Sequence, residues 1–150
     1  MKVLRSDLLT GFKNRFFESD VESANKQDLV IENKKLAGNF TSKIVKNGFK
    51  LSGYVVNNIV YDCDRCLGSF SKNNKVNVRL YLSNGISEIE DNSYETIFFP
   101  DQSNSINLKK ILIEILMIEK PLKNLCSDLC KGLCLSCGKN FNHKSCSCGK

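Results

Sequence analysis

The sequence lacks the features of an exported or membrane-spanning chain. It begins Met1, Lys2, Val3, Leu4 and soon becomes charged, whereas a secretory leader has a basic start and then an apolar stretch of about 7 to 15 residues. No uninterrupted apolar run approaches the roughly 18 residues of a transmembrane helix. We therefore expect a cytoplasmic protein that has no membrane partner.

Side chains and motifs of catalysis are also scarce. The chain has a single histidine, His143, and contains neither an H-E-x-x-H motif nor the H-x-E and P-C-x-x-C motifs of zinc deaminases. It has no glycine-rich phosphate-binding loop and no Ser/His/Asp arrangement. We therefore expect that the protein is not an enzyme.

Cysteine, by contrast, is abundant and clustered. Two of the eight cysteines, Cys63 and Cys66, form a C-x-x-C motif in the middle of the chain. The other six lie in the last quarter, as Cys126, Cys130, Cys134, Cys137, Cys146 and Cys148. Cysteines two or three residues apart suit a tetrahedral ion, because a short loop points two thiolates at it. In a reducing compartment such clusters are metal ligands or redox groups more often than disulfides. The pattern predicts structural Zn²⁺.

The spacings allow one or two zinc ions. With two, the eight cysteines divide into Cys134, Cys137, Cys146 and Cys148 within the tail, and Cys63, Cys66, Cys126 and Cys130 between the tail and the upstream motif. With one, the tail alone binds zinc and Cys63 and Cys66 remain a dithiol. Sequence does not separate these arrangements. His143 could replace a tail cysteine, but a lone histidine in a lysine-rich loop is more often simply exposed.

Apolar residues alternate with a period of two from Gly38 to Leu82, which predicts several strands. Asn47 and Gly48 predict a tight hairpin turn, because both readily adopt positive φ. The connections between strands are short, which favours an antiparallel sheet that can curl into a barrel. Residues 84–95 are acidic and aperiodic, and predict a mobile loop.

One amphipathic helix follows, with Leu108, Leu112 and Leu116 on its apolar stripe and Pro121 at its end. The expected fold class is α+β: an antiparallel, barrel-like β-sheet packed by one amphipathic helix, with a C-terminal cysteine-rich zinc-knuckle tail. We expect residues 1–121 to form the sheet domain with its helix, and residues 122–150 to form a zinc-binding tail packed on it.

The basic charge is concentrated in the tail. The formal net charge is +6, and two zinc ions each held by four thiolates would lower it to about +2. From residue 120 onward, Asp128 is the only acidic residue, against Lys120, Lys123, Lys131, Lys139, Lys144 and Lys150. Such a surface suits a polyanionic partner.

Several of these residues together resemble the YceD family. They are the run Cys63-Asp64-Arg65-Cys66-Leu67, the helix ending at Pro121, and the C-K-G-L-C-x-x-C-G-x-N run from Cys130 to Asn140. The resemblance extends from about residue 38 to the C terminus. Leu135 stands where relatives commonly have proline. Members of this family, in bacteria and plastids, are associated with accumulation of large-subunit (23S) ribosomal RNA.

The resemblance implies a non-enzymatic, zinc-containing factor that supports accumulation, processing or assembly of large-subunit rRNA. The implied partner is ribosomal RNA or a pre-ribosomal particle, or else a ribosomal protein or another assembly factor; DNA is not expected. Structured RNA is recognised through phosphates, shape and exposed bases, and Tyr81 is a candidate to contact a base. The candidate RNA-binding cations are Arg65, Arg79, Lys131, Lys139 and Lys144.

A different class of function also fits the cysteines. Cys63 and Cys66 could form a reversible disulfide and act as a thiol redox sensor, which requires a lowered thiol pKa. Arg65, between them, is the nearby cation that could lower it. Thiol titration separates the two hypotheses, because closed metal sites protect every thiol whereas a sensor exposes two reactive ones.

Overall fold

Long strands dominate the architecture, as the alternating apolar pattern predicts. A computed structural model describes residues 1–21, 29–85, 93–143 and 145–148. The helices and strands are β1 (Lys2–Leu4), α1 (Arg5–Thr10), β2 (Phe12–Asp20), β3 (Val30–Ile31), β4 (Lys35–Val45), β5 (Gly48–Asp62), β6 (Ser69–Ser83), β7 (Glu95–Phe98), β8 (Ser105–Asn107) and α2 (Leu108–Ile118). The fold is therefore mostly sheet with two helices in these ranges.

The main sheet has the strand order β2-β4-β5-β6-β7, and β3 pairs with part of β5. Neighbours from β2 to β6 are antiparallel, as expected, but β7 is parallel to β6. The prediction of a barrel is wrong for the described residues, because β2 and β7 are separate edges of an open sheet. Strands β1 and β8 form a second, two-stranded sheet.

The turn predicted at Asn47 and Gly48 is present between β4 and β5. Asn47 has a φ of 64°, and Val45 pairs with Gly48 across the turn. A Cβ atom on Gly48 would overlap the carbonyl oxygen of Leu82 on the neighbouring strand. Glycine is therefore required here by the close approach of two backbones.

The hairpin of β5 and β6 is the longest feature of the sheet. Its register runs without interruption from Gly48 opposite Ser83 to Asp62 opposite Ser69. Because every residue from Gly48 to Asp62 is paired, the connection between the two strands lies at the far end of the sheet. That connection carries Cys63 and Cys66, and the register thus determines where the first two thiols lie.

The core lies between one face of the sheet and α2. Leu108, Leu112 and Leu116 are buried along one side of the helix and join a single cluster with Phe40 and Leu51 of the sheet. Burying a leucine contributes about 2 kcal/mol, so this stripe anchors the helix. The helix ends at Ile118, just before Pro121. No helix in the described ranges is long and apolar enough to cross a membrane.

The sequence predicted one helix, and the structure adds the short α1 near the N terminus. Arg5 holds it in place: its guanidinium lies 4.1 Å from the centroid of the Phe99 ring and donates hydrogen bonds to the carbonyl oxygens of Pro100 (2.6 Å) and Ser103 (2.8 Å). Most of the predicted acidic loop, residues 86–92, lies outside the described residues.

Candidate metal centre

The turn between β5 and β6 points two thiols to one side. The backbone N–H of Cys63 donates to the carbonyl oxygen of Gly68 (3.0 Å), and the N–H of Leu67 donates to the carbonyl oxygen of Cys63 (2.8 Å). Leu67 takes a φ of 54°, which closes the turn. The result is a compact knuckle, residues 63–68, in which Cys63 and Cys66 are both buried.

The tail is hydrogen-bonded directly to this knuckle. The N–H of Asp64 donates to the carbonyl oxygen of Asn124 (2.8 Å), and the N–H of Asn124 donates back to Oδ2 of Asp64 (2.6 Å). Arg65 Nη1 donates to the carbonyl oxygen of Cys130 (3.1 Å). A Cβ atom on Gly132, whose φ is 75°, would lie 3.1 Å from the carbonyl oxygen of Arg65. These contacts bring the tail against the end of the sheet.

Four sulfur atoms meet at this contact, and we call Cys63, Cys66, Cys126 and Cys130 the first cysteine site. Their Sγ atoms all lie within 4.8 Å of one another. The pairs Cys63–Cys130 and Cys66–Cys126 are each 3.7 Å apart. A tetrahedral zinc with Zn–S bonds of about 2.3 Å separates its sulfurs by about 3.8 Å, whereas a disulfide bond measures about 2.05 Å. The cluster therefore fits a zinc ion.

The remaining cysteines, Cys134, Cys137, Cys146 and Cys148, form the second cysteine site, with Sγ atoms again within 4.8 Å of one another. The N–H of Cys134 donates to the carbonyl oxygen of Lys139, and the N–H of Gly138 donates to that of Cys134, both at 2.9 Å. Gly138 has a φ of 68°, which suits this tight turn. Cys137 and Cys148 are exposed, so the second site is closer to solvent than the first.

A residue of the second site's loop contacts the first site. Asn142 lies between Cys137 and Cys146 in sequence, and its Nδ2 donates to Sγ of Cys130 at 3.3 Å. Its Oδ1 accepts a hydrogen bond from the N–H of Lys131 (2.8 Å). A hydrogen bond donated to a thiolate stabilises its charge, and such outer contacts orient metal ligands. The two sites are therefore physically connected through one side chain.

The thiols of the first site differ in acidity. The backbone N–H of Cys126, with further backbone donors, lowers the pKa of Cys63 to about 6. The amide of Asn142 lowers the pKa of Cys130. Hydrogen bonding with Cys130, followed by burial, raises the pKa of Cys126 to about 12.

The thiols of the second site also differ in acidity. The backbone N–H of Cys137 lowers the pKa of Cys134 to about 6, whereas a hydrogen bond with the Cys137 side chain raises the pKa of Cys148 to about 11. A bound metal ion would displace the protons that these clustered thiols retain.

The family model described as large ribosomal RNA subunit accumulation protein YceD matches residues 51–150 of this chain, a stretch that includes all eight cysteines. This chain belongs to the YceD family. The family's description names a role in the accumulation of large-subunit ribosomal RNA.

Two plant proteins are similar to part of this YceD chain. A chloroplastic YCED homolog 1 of Arabidopsis thaliana, named as a large ribosomal RNA subunit accumulation protein, is 32% identical over 56 residues, which are 37% of this chain and 17% of that protein. Its Zea mays counterpart is 36% identical over 55 residues, 36% of this chain and 19% of the relative. The matches thus span less than a fifth of each relative. No solved structure is significantly similar to the chain.

In this YceD protein the predicted RNA-binding cations do not form one group. Arg65, Lys131 and Lys139 are exposed near the cysteine sites. Arg79 is exposed on β6, ten residues from Ser69 at the knuckle end, which is about 30 Å along a strand. Lys144 lies outside the described residues.

The prediction that Tyr81 contacts a base is wrong. Alternation placed Tyr81 on the same side of β6 as Arg79, but its side chain is 1% exposed. Its hydroxyl group donates to the carbonyl oxygen of Lys46 at 3.2 Å. The β4–β5 turn therefore holds this ring, and no base can stack on it.

Sequence reasoning missed the role of Asn142. The run that carries the family resemblance ends at Asn140, and spacing gives no sign that the amide of Asn142 will reach a sulfur of the other site. The hydrogen bond depends on the tail folding back: Phe141 N–H donates to the carbonyl oxygen of Gly132 (3.0 Å), and Leu133 pairs with Asn140. His143 belongs to neither group of sulfurs.

Proposed function

We propose that this YceD protein is a cytoplasmic, zinc-containing factor without catalytic activity, which supports accumulation, processing or assembly of large-subunit (23S) ribosomal RNA. It acts by binding precursor rRNA or a pre-ribosomal particle. The description of its family supports the biological role, and the two groups of four cysteines support the metal.

The observation that carries the proposal is the first cysteine site. Two of its sulfurs come from the sheet and two from the tail, so a zinc ion there crosslinks parts of the chain that are about 60 residues apart in sequence. Free energy of metal binding then becomes free energy of ordering the tail. Zinc in this arrangement builds a rigid surface.

The chemistry of the ligands argues against catalysis by the metal. A catalytic zinc keeps three protein ligands and an open position, whereas four thiolates close the coordination sphere. Each site offers four cysteine sulfurs at compatible distances. We therefore assign both ions a structural role.

Basic side chains around these sites supply the contact with RNA. Arg65, Lys131 and Lys139 are exposed there, and lysine and arginine neutralise phosphates in a way that weakens as salt rises. Lys144, two residues before Cys146 in sequence, is a further candidate cation and lies outside the described residues. The alternative partner, a ribosomal protein or another assembly factor, would not show the same dependence on salt.

Metal content is the first test. Protein purified without chelator should contain two zinc ions per chain by elemental analysis, and a Cys63→Ser/Cys66→Ser variant should contain one. A matched Cys146→Ser/Cys148→Ser variant should also contain one. An unchanged zinc content in the first variant would disprove the crosslink between sheet and tail.

The RNA role is tested separately. The zinc-loaded protein should bind a large-subunit precursor rRNA fragment, and Lys131→Gln/Lys139→Gln should weaken binding more than Lys109→Gln/Lys110→Gln on α2, which removes equal charge. In cells that lack the protein, 23S rRNA should recover with the wild type and not with the cysteine variants. Identical isotherms for both lysine variants would exclude the tail as the contact surface.

The redox alternative draws on the lowered pKa of Cys63. That acidity also suits a metal ligand, since zinc binds the thiolate. Titration of native thiols separates the two: two fast-reacting thiols support the sensor, whereas eight protected thiols that react only after chelation support closed metal sites.

A further inference from the structure

The face of the main sheet that points away from the core carries cations that the metal sites do not use. Cross-strand register places Lys43 opposite Lys50 and Ser52 opposite Arg79, with Lys75 two rows further along β6. We call Lys43, Lys50, Lys75 and Arg79 the outer basic surface. Lys43, Lys75 and Arg79 are exposed. Along β6, Arg79 lies between the buried core residues Val78 and Leu80.

Acidic side chains on this face lie at its margins within the described strands. Glu18 and Asp20 are on edge strand β2, where Glu18 already accepts a hydrogen bond from Lys35 Nζ at 2.9 Å. Asp62 is at the knuckle end and accepts one from Ser69 Oγ at 2.7 Å. Among the described strands, the middle of the face therefore carries cations, which suit a polyanion.

Two of these cations lie in one row of the sheet. Lys43 and Lys50 occupy directly opposite positions on β4 and β5, and Lys50 Nζ lies 4.5 Å from the centroid of the Tyr94 ring. This row adds two ammonium groups to the outer basic surface.

Aromatic rings lie among these cations. Tyr54 is in the row between Asn39 and Asn77; its hydroxyl accepts a hydrogen bond from Asn39 Nδ2 (3.0 Å), and Lys75 Nζ lies 4.1 Å from its ring centroid. Phe16, opposite Asn39 on the same face, is 60% exposed. Proteins bind single-stranded nucleic acid by combining cations for the phosphates with aromatic rings on which bases stack.

We propose that the outer basic surface binds a single-stranded segment of RNA, with phosphates on its lysines and arginine and bases against Tyr54 and Phe16. The inference rests on the proposed RNA role and adds a second contact surface to it. Arg79 is about 30 Å along β6 from the knuckle, so one RNA could contact both surfaces and be held between them.

The test uses full-length, zinc-loaded protein and a fluorescent single-stranded RNA of about 10 nucleotides, a length typical of such sites. A face variant, Lys43→Gln/Lys75→Gln/Arg79→Gln, is compared with Lys2→Gln/Lys109→Gln/Lys110→Gln, which removes the same charge from β1 and α2. The face variant should bind about tenfold more weakly. The slope of log affinity against log salt should become less steep by about 2, because the variant loses three phosphate contacts and each contributes about 0.7 to the slope.

Base stacking has its own variants. Tyr54→Leu should weaken binding about tenfold, whereas Tyr54→Phe, which keeps the ring and loses only the hydroxyl, should bind like the wild type. Unchanged zinc content and circular dichroism would show that these variants fold. Equal affinity of Tyr54→Leu and Tyr54→Phe would overturn the stacking arrangement.

The outcomes separate this inference from the proposed function. The inference is overturned if the face variant and the control variant Lys2→Gln/Lys109→Gln/Lys110→Gln lose the same amount of RNA affinity. It is also overturned if the wild type binds a polyglutamate peptide equally tightly, or binds duplex RNA more tightly than single-stranded RNA. If Lys131→Gln/Lys139→Gln abolishes binding while the face variant binds normally, the inference fails and the proposed function stands. If the wild type binds neither this RNA nor precursor rRNA, both fail.

Discussion

Removing the amide of Asn142 should weaken zinc binding at the first cysteine site, although Asn142 is not a ligand. In Asn142→Ala, Sγ of Cys130 loses its 3.3 Å donor and the N–H of Lys131 loses its 2.8 Å acceptor. A hydrogen bond to a charged group contributes about 1.5 to 3 kcal/mol, and we take the lower limit because this contact is only partly buried. About 1.4 kcal/mol corresponds to tenfold in affinity.

The assay is competition for zinc between the protein and a chromophoric chelator. Both sites are kept, and the first-site affinity is the one that disappears in Cys63→Ser/Cys66→Ser; it is compared between the wild type and the Asn142 variants. Asn142→Asp keeps an oxygen for the N–H of Lys131 but places a carboxylate next to the thiolate of Cys130. It should therefore lose more affinity than Asn142→Ala.

The intact protein should also show coupling between the sites, because Asn142 is carried by the loop of the second site. Loss of Cys146 and Cys148 should itself weaken the first site severalfold. A first-site affinity that is the same in wild type, Asn142→Ala and Asn142→Asp would refute the reasoning, because the hydrogen bond to sulfur would then contribute nothing to the bound state.

Four further predictions concern stability and pH. Zinc affinity should fall as pH falls, because protons compete with the ion for thiolates, and chelator competition between pH 6 and 8 measures this. In metal-free protein, the pKa of Cys63 is lowered from about 9 to about 6. The ionised thiol therefore stabilises the fold above about pH 9, and this stabilisation is lost as the pH falls towards 6. Urea unfolding at a series of pH values should show the free energy of unfolding falling over this range, and Cys63→Ser should flatten that dependence. Arg5→Leu should destabilise the fold by about 1 to 3 kcal/mol, since the carbonyl oxygen of Ser103 loses its side-chain donor and that of Pro100 keeps only the N–H of Ser103, whereas Lys2→Leu should not; equal urea midpoints would contradict this. Leu112→Ala should cost about 2 to 5 kcal/mol by leaving a cavity under α2, and Ile118→Ala, at a position 77% exposed, is its control in thermal melts.

Much of the fold and of the site could be predicted from local pattern. Alternation over β4, β5 and β6 determined which side chains share a face, and the turn at Asn47 and Gly48 determined where the first hairpin reverses. The helix stripe of Leu108, Leu112 and Leu116 was predicted from its spacing, and all three are buried. Local spacing likewise predicted that Cys63 and Cys66 share a knuckle, because a loop of only two residues directs both sulfurs towards the same point.

Long-range contacts were not determined in this way. Alternation assigns Tyr81 to a face but does not say that the β4–β5 turn will cover it, and no pattern indicated that β7 would pair parallel to β6. The six residues of α1 are too few for a clear helical signal. These features depend on which strand lies beside which, and chain neighbours alone do not specify that.

The cysteines show most clearly what the sequence determined and what the tertiary structure decided. By itself the sequence determined that thiols two or three residues apart act as pairs, because such short loops restrict where their sulfurs point. It left open which pair meets which. Only the tertiary structure decided that Cys63 and Cys66 meet Cys126 and Cys130, because the β5–β6 register carries the knuckle to the end of the sheet, where the tail leaving α2 is hydrogen-bonded to it.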